Sequence, residues 1–207
     1  MVGPVLIRSR DDRPAVKSDL KPEGRNIYEM PYDEANVRPA AVSDARAIAE
    51  VHVASWKTTY KGIFPNHLLD GLSVEQRAHL WNETLTAPEH GVVTFVGCDA
   101  GGRVVGFVCG GVERTGRLGC DGEIHAIYLL ECAHRQGLGR LLVHRFVREL
   151  RSRGFASMAV WVLALNPFRK FYEALGGQAI GEQQIERGGE SFTEIAYGWS
   201  DLGKFVR

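Results

Sequence analysis

Glu123-Ile124-His125-Ala126-Ile127-Tyr128-Leu129-Leu130, followed three residues later by His134-Arg135-Gln136-Gly137-Leu138-Gly139-Arg140, decides the fold. The first segment follows Gly122 and reads as a strand. The second is a Gly-rich turn, after which Leu138, Leu141, Leu142, Phe146 and Leu150 recur on one face of a helix that Gly154 closes with a left-handed cap. A strand, a glycine turn and a helix in that order leave backbone amides unpaired at the helix start, where the helix dipole favours an anion. Gly137 and Gly139 let the backbone approach phosphate oxygens, and Arg135 and Arg140 add charge. The bland alternative is a tight turn with solvated arginines.

Upstream, Val37 to Ala40 reads as a short strand, and Ser43 is placed to cap a helix carrying Ile48, Ala49, His52 and Trp56. Gly62 and Pro65 break that helix, and Ser73 with Gln76 opens another through Trp81. Val92 to Val96 and Val104 to Val108 flank a Gly-containing hairpin turn. Downstream, Met158 to Leu163 is apolar enough for a strand buried on both faces. Asn166-Pro167 starts a short helix that Gly176 and Gly177 end, and strands near Ile180 to Arg187 and Phe192 to Tyr197 close the chain. The order βααβββαβαββ predicts an α/β fold with a mixed sheet of six or seven strands and helices on both faces. Residues 1–35 mix charges with four prolines and read as a flexible extension; 36–202 is the folded domain and 203–207 a tail.

The glycine turn fits neither common nucleotide motif. A Walker A loop requires Lys and Ser or Thr after its last glycine, where Arg140 and Leu141 stand, and a dinucleotide fingerprint requires a small residue where Leu142 sits. The segment resembles the GNAT (N-acetyltransferase) superfamily, whose signature is Gln or Arg, two residues, Gly, one residue, then Gly or Ala. Gly137 and Gly139 match it, whereas His134 departs from its first position. Glu123 to Leu129 is similar to the family's fourth strand, and Asn166-Pro167-Phe168-Arg169-Lys170-Phe171-Tyr172-Glu173-Ala174-Leu175-Gly176 to its later Asn and Phe-Tyr-x-x-Leu-Gly element, so the resemblance runs through residues 123–176. Val37 to Ala45 and Trp56 to Gly62 resemble its first strand and helix.

The resemblance implies acetyl-CoA as co-substrate, attacked directly by an amine with no acetyl-enzyme. The backbone of the Ile127-Tyr128-Leu129 strand, at Ile127 and Leu129, would pair with the pantetheine arm, and amides of Arg135, Gln136, Gly137, Leu138, Gly139 and Arg140 would bind the pyrophosphate. Asn166 and Phe171 would complete the cofactor site. Tyr172 matches the general acid for the departing thiolate, a role open to a phenol of pKa about 10. Glu123 is the candidate base, with Asp121, Glu131 and His125 as substitutes, and Trp56 and Tyr60 are candidate acceptor contacts. Each aromatic also reads as ordinary core at helical spacing.

Lys plus Arg and Asp plus Glu number 25 each, so no net field draws the chain to nucleic acid or an anionic membrane. The arginines at 140, 145, 148, 151 and 153 read better as a solvated helix face than as a nucleic-acid stripe. The four cysteines have neither metal-knuckle nor disulfide-framework spacing, so no metal is expected, and reduced thiols with no signal segment point to the cytoplasm. A homodimer is an assembly that the resemblance allows. The rival function is a non-catalytic acyl-CoA-binding sensor, which would keep the glycines but lack an acid and an acceptor pocket.

Overall fold

The computed structural model describes residues 31–88 and 91–205; the expectation of a flexible extension thus lies outside the described residues as far as residue 30. Among the described residues, seven strands form one mixed sheet in the order β1-β2-β3-β4-β5-β7-β6. They are β1 (Val37–Pro39), β2 (Val93–Cys98), β3 (Val104–Val112), β4 (Gly122–Leu129), β5 (Met158–Leu163), β6 (Gln178–Arg187) and β7 (Glu190–Trp199). The helices are α1 (Ala45–Thr59), α2 (Asn66–Asp70), α3 (Val74–Thr86), α4 (Leu138–Ser152) and α5 (Lys170–Ala174). None of the described helices is long and apolar enough to cross a membrane.

The helix expected after the glycine turn is α4, and its apolar stripe of Leu138, Leu142, Val143, Phe146, Val147 and Leu150 is buried against one face of the sheet with Val105, Val108, Ile124 and Val160. Each such side chain contributes about 1.5–3 kcal/mol relative to exposure. Gly154, at φ 87°, ends the helix, and Phe155 N–H reaches back to the Leu150 carbonyl. The opposite face of the sheet is covered by Ile48, Ala49 and Val51 of α1 and Trp81 of α3, against Val96, Phe107 and Cys109.

Two local expectations are corrected. Ser43 does not cap α1; it lies in a 3₁₀ turn, Val42–Asp44, where Asp44 is held by Arg38 at 2.7 and 2.8 Å and accepts the Ala41 N–H. Between α1 and α3 the chain adds the short helix α2, whereas Ser73 does cap α3 by accepting the Gln76 N–H. Residues 31–35, assigned to the extension by sequence, carry Tyr32 packed on the core and Asp33 capping a 3₁₀ turn. In the assigned tail, Phe205 meets Trp199.

The site is positioned by an irregularity in β4. On the β3 side Cys109 faces Ala126 but Gly110 faces Ile124, so His125 is an extra residue, a bulge. The alternation of side chains therefore inverts: Ile124, Ile127 and Leu129 join the α4 side, and Ala126 and Tyr128 join the α1 side. On the other side β4 pairs with β5, in parallel, only through Gly122, Glu123 and Ile124. Beyond the bulge the strands diverge.

Gly110 sits at this irregularity, where an added Cβ would collide with the Glu123 carbonyl and come within 2.6 Å of the Phe146 ring. Gly110→Ala should destabilise the fold by about 3 kcal/mol, the upper range of overpacking penalties. Urea denaturation checks this; an unaltered midpoint would refute the close approach.

Candidate active site

The parting of β4 from β5 leaves one edge of β4 unpaired. Leu130 N–H bonds to the Val105 carbonyl, so in the antiparallel alternation Tyr128 and Leu130 serve β3, while Ile127 and Leu129 turn their backbone groups toward the gap. The Leu129 carbonyl is already occupied, accepting the Ser55 hydroxyl at 2.9 Å and His134 Nε2 at 2.9 Å. His134, the departure from the family signature, thus ties the glycine turn to the end of β4. Of the strand backbone expected to bind a ligand, the Ile127 groups and the Leu129 N–H remain available.

In the turn, Arg135 and Gly137 both have positive φ, 57° and 88°. Positive φ is costly for arginine and free for glycine, and alternation of this kind gathers successive N–H groups into a concave anion nest at the start of α4. An added Cβ at Gly139 would meet the Phe171 ring at 3.4 Å, so that glycine keeps the wall thin rather than permitting a special backbone angle. Arg135, Gly137, Gly139 and Arg140 line a cavity of about 530 Å³ with Ile127, Leu129, Asn166, Phe171 and Tyr172. Gln136 turns away, its amide donating to the Cys132 carbonyl, and Leu138 points into the core, so neither side chain lines the cavity.

A second cavity of about 500 Å³ holds the predicted acceptor contacts Trp56 and Tyr60, together with Arg114, Glu123, Gln183 and Glu194. The two cavities share Ile127, Tyr128, Asn166 and Tyr172. Asn166 and Pro167 do not start the helix, as the sequence led one to expect, because α5 begins only at Lys170 after a turn; Asn166 Oδ1 accepts the Phe168 N–H at 2.8 Å within that turn, and Nδ2 donates to the Tyr60 hydroxyl at 3.4 Å. Burial pushes the Tyr172 phenol well above its ordinary pKa, and the nearby Tyr60 adds to that. Tyr128 and Tyr60 are raised by burial in the same way. All three hydroxyls are therefore protonated donors at neutral pH.

Glu123 is nearly inaccessible, at 1% exposure, and its carboxylate is gripped by Arg114 through the backbone N–H and Nε at 3.1 Å each and through Nη2. Glu113 fixes the loop that presents Arg114 by accepting the N–H groups of Thr115 and Gly116. The sequence reading missed this clamp, which ties the candidate base Glu123 into an ion pair. The substitutes occupy other surroundings. Asp121 accepts from Ala156 N–H, Ser157 N–H and the Ser157 hydroxyl, Glu131 stands in an exposed turn, and burial lowers the pKa of His125. Cys132 is exposed and unbonded to another cysteine. Among the described residues no group of three or more His, Cys, Asp or Glu is arranged to hold a metal.

The sequence of residues 112–186 matches the family model described as FR47-like protein. An uncharacterized N-acetyltransferase, YuaI, of Bacillus subtilis is 40% identical over 166 residues, covering 80% of this chain and 93% of that protein. Among solved structures, a ribosomal-protein-alanine N-acetyltransferase from Brucella melitensis superposes with a TM-score of 0.62 at 20% identity, covering 79% of this chain and 98% of the other. The yncA acetyltransferase of Salmonella typhimurium, solved with acetyl-CoA, gives 0.61 at 18% identity over 83% and 95%. The chain belongs to the GNAT superfamily of N-acetyltransferases, and its seven-stranded sheet with helices is the acyl-CoA N-acyltransferase fold.

Behind Tyr128 lies His52, stacked on its ring at 5.0 Å, with Nδ1 accepting the Trp81 indole N–H at 3.3 Å. Burial, reinforced by Arg77, lowers its pKa to about 3. In the unfolded chain a histidine titrates near about 6.5, so below that pH the unfolded state binds a proton that the folded state refuses. Stability should accordingly fall by about 1.4 kcal/mol per pH unit from this group as pH drops below 6.5 toward 3. Ring-carbon NMR should find His52 neutral from pH 8 to 5; a midpoint between 6 and 7 would contradict the buried neutral imidazole.

Proposed function

We propose that the protein transfers an acetyl group from acetyl-CoA to a primary amine by direct attack in a ternary complex. The observation that carries the reading is the meeting of two cavities at Tyr172, one provided with an anion nest and the other with a polar wall. In this reading the amides of residues 135–140 hold the pyrophosphate, and Ile127 with the Leu129 N–H pairs with the pantetheine arm as a β-strand would. The arm occupies the gap left between β4 and β5. Phe171 and Asn166 line its path, and the thioester reaches the junction, where the acceptor enters from the side of Trp56 and Tyr60.

The amine nitrogen forms a bond to the thioester carbonyl carbon, the C–S bond breaks, and Tyr172 donates its proton to the sulfur as charge develops there. Burial suits this role, because a phenol held far from ionisation at neutral pH always has the proton to give. The sensor alternative is disfavoured because a second cavity, walled by Arg114, Gln183 and Glu194, opens onto the same tyrosine.

Calorimetry should detect acetyl-CoA and CoA binding in the micromolar range and none for NAD, with binding abolished in Gly137→Glu, whose fold is checked by its melting curve. Absence of CoA binding by the intact protein would overturn the reading. With an accepted amine, Tyr172→Phe should lower kcat by about 100-fold or more, the usual contribution of a positioned acid; an unchanged rate would remove Tyr172 from the chemistry.

A further inference from the structure

The proposed transfer leaves one step without an agent: an amine that is an ammonium at neutral pH must lose a proton before it can attack. Two carboxylates wall the acceptor cavity, Glu123 and Glu194. They differ in position along β5. Glu123 stands opposite Ala159, where β4 and β5 are still paired, whereas Glu194 stands opposite Leu163, at the end of β5 that leads to Asn166. The four-residue step from Ala159 to Leu163 corresponds to about 13 Å along a strand. Glu194 shares a strand face with Phe192, which packs with Tyr60, Phe64 and Leu163, so its side chain is directed to the wall that contains Tyr60.

The partners also differ. Glu123 is bound by three donors of Arg114, its backbone N–H and two nitrogens of its guanidinium group, so both carboxylate oxygens are engaged. Glu194 receives a single neutral donor, Gln183 Nε2 to Oε2 at 2.8 Å; among the described residues Oε1 accepts no hydrogen bond. The group is half-buried, so it is reached from the cavity without being held apart from it. Sharing the cavity with it are Tyr60 from the turn after α1, Arg114 from the β3–β4 loop, Glu123, His125 and Tyr128 from β4, and Gln183 and Arg187 from β6, with Tyr172 at the junction.

We infer that Glu194, oriented by Gln183, is the catalytic base of this enzyme, and that Glu123 is an anchored structural carboxylate. This rests on the transfer reading given above. The ammonium gives one proton to Glu194 Oε1; the neutral amine attacks; as the tetrahedral adduct collapses, its nitrogen loses a second proton. Tyr172 supplies the proton taken by the sulfur and recovers one in exchange, so that the net products are the amide, the free thiol and one proton released from Glu194 to solvent.

The test uses the full chain with acetyl-CoA and a panel of a polyamine, amino acids, an aminoglycoside and a peptide with a free N-terminus, following release of the CoA thiol. For an accepted amine, Glu194→Gln should lower kcat/KM by about 100-fold at pH 7. The loss should shrink as pH rises toward the amine's own pKa, where free amine is already present. Acetyl-CoA binding by calorimetry should stay within twofold of wild type, which separates loss of a base from loss of fold. Glu123→Gln should instead lower the melting temperature and leave the steepness of the pH profile in place. An unaltered pH profile in Glu194→Gln, or the pH-dependent loss appearing in Glu123→Gln, would overturn the inference alone. Transfer to no amine by the wild type would overturn the transfer reading and the inference with it.

Discussion

Three residues of parallel pairing hold β4 to β5, and the site exists because the pairing stops there. A strand parting from its neighbour strands backbone donors and acceptors, which is costly unless something else satisfies them. Here the deficit is distributed. β5 remains paired along its far side with β7 from Met158 to Leu163, β4 remains paired with β3, and the Leu129 carbonyl takes hydrogen bonds from Ser55 and His134. What is left at Ile127 and the Leu129 N–H is a short unpaired edge, the one that the proposed pantetheine pairing would satisfy.

The bulge at His125 performs the separation, and the aromatic side chains behind it keep the gap from collapsing. Tyr128 is pressed between His52, Phe107 and Trp56, and Trp56 in turn meets Tyr60 and Phe64. Rings in stacked, tilted and edge-on contact resist compression and place hydroxyls at fixed points. The phenols of Tyr60, Tyr128 and Tyr172 thereby reach a common junction from the turn after α1, from β4 and from α5. Burial that raises their pKa values is the same burial that fixes their positions, so protonation state and geometry have one cause.

Elements with strong local signals were legible in the sequence. The 3.6-residue period of α4, the apolar run of β5 and the two signature glycines all report requirements met within a few residues, and the cavity residues carried over from the family motif do gather around one gap. Features set by distant partners were not legible. Nothing near Ser43 announces that Asp44 will be claimed by Arg38, and a five-residue helix such as α2 is too short to have a period. The Arg114–Glu123 pair closes across a loop whose geometry depends on Glu113, and Glu194 sits in an alternating strand whose polar positions look like ordinary solvated ones. Its contact with the cavity depends on a register that no local pattern specifies.

The tip of the β6–β7 hairpin meets the region around α2: a Cβ at Gly188 would stand 3.2 Å from Leu68, 3.4 Å from His67 and 3.4 Å from Pro65. The two segments are more than a hundred positions apart in the chain, yet they lie in close contact at this glycine. Chimaeras made with a relative would therefore have to exchange residues 60–72 and 180–194 as one unit. Grafting either alone would set a foreign loop against a native turn, whereas the contiguous block from β4 to α5 could be kept whole beneath either pair.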